Sequence, residues 1–84
     1  MTRRELFDRM VELAEKVFDR VEVTKGDFRG GVCRLRGQSC LYINRNAGLE
    51  TNVRTLANAL SQQDLESMFV MPALRDAIET YRED

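Results

Sequence analysis

Leu6, Met10, Leu13, Val17 and Val21 recur at three- and four-residue steps, and Phe7, Ala14 and Phe18 widen the stripe. That period predicts an opening helix with one broad apolar face. Thr2 followed by Glu5 has the spacing of a capping box and places the helix start near Arg3. The pattern then shortens to a period of two. Val21-Glu22-Val23-Thr24 alternates apolar with polar and is β-branched, which suits a short, half-buried strand ended by Lys25-Gly26-Asp27.

Gly30-Gly31 opens a second strand, since paired glycines admit positive φ, a bulge or a close backbone approach. A phosphate-cradling loop would need further glycines and a following helix, and here a strand follows. Strands two and three are expected over about 31–35 and 39–44, flanking Arg36-Gly37-Gln38. With Arg36-Gly37 as a two-residue loop, Cys33 lies opposite Cys40; with Gly37-Gln38, Cys33 faces Tyr42. The pattern leaves both registers open.

Leu49, Val53, Leu56, Ala57 and Leu60 form a second helical stripe over about 49–62, starting after Gly48, with Glu50 near the positive end of the helix dipole. Asp64 can cap a short turn through Leu65, Met68 and Phe69. Pro72 suits the first position of a last helix, whose inner face is Leu74, Ala77, Ile78 and Tyr81. The expected order is α-β-β-β-α-α. It describes an α+β fold in which helices cover one face of a small antiparallel three-stranded sheet.

At 84 residues the chain is expected to form a single domain, 1–84, with a modest core. Hydrophobic content of 43% with 32% charged residues is that of a folded globular protein. No apolar run approaches the roughly 18 residues of a membrane span, and M-T-R-R-E-L-F-D lacks the apolar stretch of a signal peptide. The expected location is therefore cytoplasmic, with no membrane partner. Cys33 and Cys40 stand seven apart without a second pair or a histidine, so no zinc-finger spacing is present and two reduced, largely buried thiols are expected. A cross-strand disulfide would require strain and oxidising conditions.

The net charge of −1 hides a gradient. Residues 1–24 carry five basic and six acidic side chains, residues 25–54 six and two, and residues 55–84 two and six. The basic middle makes nucleic acid worth weighing, although the protein as a whole has no basic footprint.

Leu41-Tyr42-Ile43-Asn44 at the end of the third strand, and Arg54-Thr55-Leu56-Ala57-Asn58-Ala59-Leu60-Ser61-Gln62 on the following helix, have the order of motifs seen in the ImmA/IrrE family of metallopeptidase-like domains. The chain resembles that family from about residue 10 to 78. In such domains a strand ending like I-x-x-N leads into a helix bearing R-x-x-L-A-H-E-x-x-H. The resemblance puts Asn58 where the first zinc-binding histidine stands, Ala59 at the glutamate and Gln62 at the second histidine. Two imidazoles four apart bind zinc from one helical face while the glutamate deprotonates the bound water. Asn58 and Gln62 are poor zinc ligands, Ala59 accepts no proton, and the chain has no histidine. Phe69-Val70-Met71-Pro72 is similar to the tail of a later family segment, F-A-x-x-L-L-M-P. Only about nine residues separate Gln62 from Pro72, so the helix supplying the third ligand is missing or reduced.

No catalytic residue, metal ligand or cofactor is therefore expected. A catalytic thiol wants an imidazole or an electropositive setting, and Arg34 and Arg36 alternate to the face opposite Cys33. The pairs Asp64 with Glu66 and Glu79 with Glu83 read as solvated helix-end charges, not as carboxylates across a cleft. Two functional expectations follow. The first is a non-catalytic domain acting by protein contact or as a homodimer, with Arg54, Asn58 and Gln62 as the polar floor of any surviving groove. The second is nucleic-acid binding through Lys25, Arg29, Arg34, Arg36, Arg45 and Arg54, with Phe28 or Tyr42 stacking on bases.

Overall fold

The computed structural model describes residues 1–82. Glu83, and with it the Glu79 and Glu83 pair, lies outside the described residues. Helix α1 (Arg3–Val17) starts where the capping box places it: Glu5 N–H donates to Thr2 Oγ1 at 3.1 Å, and Thr2 N–H donates to Glu5 Oε1 at 3.5 Å. Its buried face is Leu6, Phe7, Met10, Leu13 and Ala14. The helix stops as Phe18 turns to extended backbone, its N–H donating to the Ala14 carbonyl.

Three strands follow, β1 (Arg20–Thr24), β2 (Gly31–Leu35) and β3 (Gln38–Asn44), in the spatial order β1-β3-β2. The expected α+β class and element order hold. The sheet, however, is mixed, not wholly antiparallel: β2 pairs β3 antiparallel, while β1 pairs β3 parallel, with Val21 beside Leu41 and Val23 beside Ile43. The reason is burial. Strand β3 carries Leu41 and Ile43, both wholly buried, and so takes the central place, whereas the glycine-led, arginine-bearing β2 takes an edge. Asp19 and Ser39 lock the parallel pair at its start, the Ser39 N–H donating to Asp19 Oδ2 at 2.8 Å and the Asp19 N–H to Ser39 Oγ at 3.3 Å.

The β2–β3 loop is Arg36-Gly37, with φ of 51° and 80°, the paired positive values of a tight hairpin turn. Cys33 therefore lies directly opposite Cys40. Cys40 is buried as expected, but Cys33 is exposed, because β2 is an edge strand and its side chains on that face have no covering layer.

A single 3-10 turn (Arg45–Ala47) leads to Gly48, whose φ of 92° lets the chain swing into α2 (Leu49–Ser61). Val53, Leu56, Ala57 and Leu60 are wholly buried, and α2 packs on α1, β3 and the last helix. After it, Glu66 N–H donates to Asp64 Oδ1 at 3.1 Å in the expected turn. Leu65 and Met68 pack on the core, whereas Phe69, at the end of this turn, stands 85% exposed. Pro72 opens α3 (Pro72–Tyr81), which buries Leu74 and Ile78 and rests Ala77 and Tyr81 on the core. No helix among the described residues is long and apolar enough to cross a membrane.

Candidate functional site

The hairpin fixes which backbone groups face outward. In a two-residue hairpin the flanking pair, Leu35 and Gln38, exchanges hydrogen bonds, and alternation makes Cys33 with Cys40 and Gly31 with Tyr42 the next such pairs. Val32 and Arg34 fall between them, so their N–H and C=O groups point away from β3. Nothing pairs with that side of β2 among the described residues.

Beside this edge runs a groove of about 680 Å³ between the start of β2 and helix α2. One wall is Phe28, Arg29 and Val32; the other is Thr51, Arg54, Thr55, Asn58 and Gln62, with buried Ala59 between them. Close approach of the first wall to the sheet depends on Gly30, where an added Cβ would stand 2.7 Å from the Tyr42 carbonyl oxygen. The loop ahead of it is held by Asn44, whose Nδ2 donates to the carbonyls of Gly26 at 2.8 Å and Phe28 at 2.7 Å. Asn44 Oδ1 also accepts from the Asn46 N–H at 3.0 Å, so one buried amide satisfies both the loop and the turn.

The structure brings Arg54, Asn58, Ala59 and Gln62 together along one side of this groove, with Arg29 across from them. Arg54 Nη2 lies 3.5 Å from Glu50 Oε1, and the Asn58 carbonyl accepts from Ser61 Oγ at 2.8 Å. Ala59 is 4% exposed and stands at the groove floor, against the core. Arg34, Arg36 and Arg45 are exposed but lie outside the lining, on the strand, at the hairpin tip and on the 3-10 turn.

The groove lining holds arginine, amides, hydroxyls and apolar groups, but no carboxylate, thiol or phenol. Such a surface can hydrogen-bond and attract anions, yet offers no side chain able to take a proton near neutral pH. Among the described residues no cluster of three or more His, Cys, Asp or Glu side chains is arranged to hold a metal ion. On the opposite, open face of the sheet, Glu22 Oε1 accepts from Arg20 Nε at 2.9 Å and Nη2 at 2.7 Å, and this bond raises the Arg20 pKa above its ordinary value.

Asn44 and the Asp19–Ser39 lock were missed as structural anchors by sequence reasoning. Asn44 had a signal, a polar residue closing an apolar strand; the lock joins residues 20 apart and has no local signature. Comparison with protein-family models, curated proteins and solved structures finds no match to this chain.

Proposed function

We propose that this domain acts by contact and not catalysis, receiving an extended segment of a partner protein in the groove between β2 and α2. The reading rests on one observation: Val32, whose N–H and C=O groups point outward from the sheet edge, lines a groove whose other wall is a helix, and the outward groups of Arg34 continue that edge beyond the groove. An extended segment laid there completes the sheet edge with main-chain hydrogen bonds, while its side chains meet α2. Arg29 favours a segment carrying carboxylates, and Gln62 on the helix wall supplies a further hydrogen-bonding group.

Selection of random peptides displayed against the immobilised protein tests this. Acid-bearing peptides that bind in extended form are expected, and Val32→Pro, which removes one outward N–H and spares the β3 ladder, should weaken them about tenfold, worth about 1.4 kcal/mol. Circular dichroism confirms that the variant is folded. Peptides that bind Val32→Pro equally well, or no enrichment at all, would sink the proposal.

The second reading is nucleic-acid binding by Arg29, Arg34, Arg36 and Arg45, favoured by the exposure of all four. It requires binding to random duplex or single strands that weakens steeply with salt. A homodimer through the other sheet edge, β1 (Arg20–Thr24), or through the last helix is read out by light scattering.

A further inference from the structure

Independently of the groove, the open face of the sheet carries a pair of thiols in direct cross-strand register, Cys33 opposite Cys40. In a hydrogen-bonded antiparallel pair the Cα atoms stand about 5.5 Å apart. That lies within the roughly 4.4–6.8 Å spanned by disulfides, whereas the Cβ atoms of such a pair stand about 5.5 Å apart, beyond the roughly 3.5–4.5 Å of an unstrained bridge. The bond therefore closes only with strain and is the more easily reduced. The turn that sets this register is tight, and only the residues from Arg34 to Ser39 separate the two cysteines.

The two sulfurs differ in access. Cys33 is exposed, whereas Cys40 is 2% exposed, flanked in the sheet by Arg20 on one side and Cys33 on the other, its thiol donating weakly to the Gln38 carbonyl at 3.8 Å. A reagent from solution therefore meets Cys33 first, and Cys40 is reached through Cys33. An accessible thiol beside a sheltered resolving thiol is the arrangement on which reversible thiol oxidation relies.

We propose that Cys33 and Cys40 form a redox site that exchanges with small-molecule disulfides, with Cys33 as the attacking thiol and Cys40 as the resolving one. Cys33, as thiolate, attacks one sulfur of a disulfide RSSR; the S–S bond of RSSR breaks, a mixed Cys33–SR disulfide forms, and RS⁻ leaves to take up a proton. Cys40 then loses its proton and attacks Cys33 Sγ. The Cys33–SR bond breaks, the Cys33–Cys40 bond forms, and a second RSH departs. Two protein thiols are oxidised by two electrons in total, and one RSSR is reduced to two RSH. Proximity in the hairpin makes the second step intramolecular, so the mixed disulfide does not accumulate. The oxidised form ties β2 covalently to β3, and the exchange runs back when small thiols are in excess.

Glutathione disulfide is the probe, with the intact mass of the protein read under denaturing, thiol-blocked conditions. The wild-type chain should become a monomer lighter by two hydrogens. Cys40→Ser, with Cys40→Ala beside it because a hydroxyl is unwelcome at a buried position, should accumulate one glutathione adduct on Cys33. Cys33→Ser should react about tenfold more slowly, since its remaining thiol is sheltered and exchange depends on access. A stable glutathione adduct or an intermolecular dimer as the main wild-type product would overturn the proposal, as would a Cys33→Ser variant that reacts at the wild-type rate.

Discussion

The Asn44 side-chain amide donates to the Phe28 carbonyl oxygen at 2.7 Å, joining the end of the central strand to the loop that forms one wall of the groove. Asn44 is buried, so the carbonyls of Phe28 and Gly26 rely on it in place of solvent. Asn44→Ala should cost about 1–3 kcal/mol, the range for leaving buried polar groups unpaired. Urea unfolding measures it, and an unchanged midpoint would mean that water takes over both carbonyls. Asn44→Asp keeps the acceptor for Asn46 but sets a charge against two carbonyl oxygens, and should rescue nothing.

Gly30 is required by contact, not by dihedral angle, because the obstacle to a Cβ is a backbone oxygen that cannot rotate away. Gly30→Ala should therefore destabilise by about 1–3 kcal/mol, as overpacking does, and shift the backbone amide resonances of Tyr42 and Ile43. A variant as stable as the parent would show that β2 can move outward without loss.

The hairpin turn can be improved. Arg36 adopts φ of 51°, a value that asparagine tolerates better than arginine. Arg36→Asn is expected to add about 0.5–1 kcal/mol, within the span of stabilising surface changes. Thermal unfolding reads the gain, and a loss instead would mean that the guanidinium makes a compensating contact.

Removal of the first cap should loosen α1. Thr2→Ala deletes the acceptor for the Glu5 N–H and should cost about 1 kcal/mol, while Thr2→Ser should cost much less. Amide hydrogen exchange confined to the first turn of α1 distinguishes fraying from global loss.

The helices were legible because their buried stripes are local: Met10 and Leu13, Val53 and Leu56, and Leu74 and Ile78 all occupy the core, as their spacing predicts. The capping box and the turn at Asp64 were legible for the same reason. Strand order was not. Val21 and Val23 face inward whether β1 pairs β2 or β3, so alternation does not reveal the parallel pairing with Leu41 and Ile43. The exposure of Cys33 and Phe69 follows from where the covering layers end, which depends on the assembled fold. The groove is likewise tertiary. Arg54, Asn58 and Gln62 share a helix face by spacing, but only the placement of Arg29 and Val32 across from them makes that face a wall.

The order β1-β3-β2 bears on how the chain is made. The two outer strands are not neighbours, and the strand each of them pairs with is the last of the three to be synthesised. Until Asn44 has left the ribosome neither Val21 nor Val32 has a sheet partner, and once it has, both ladders can close on the same template. The sheet is thus predicted to appear as a single event once β3 has emerged, and not strand by strand.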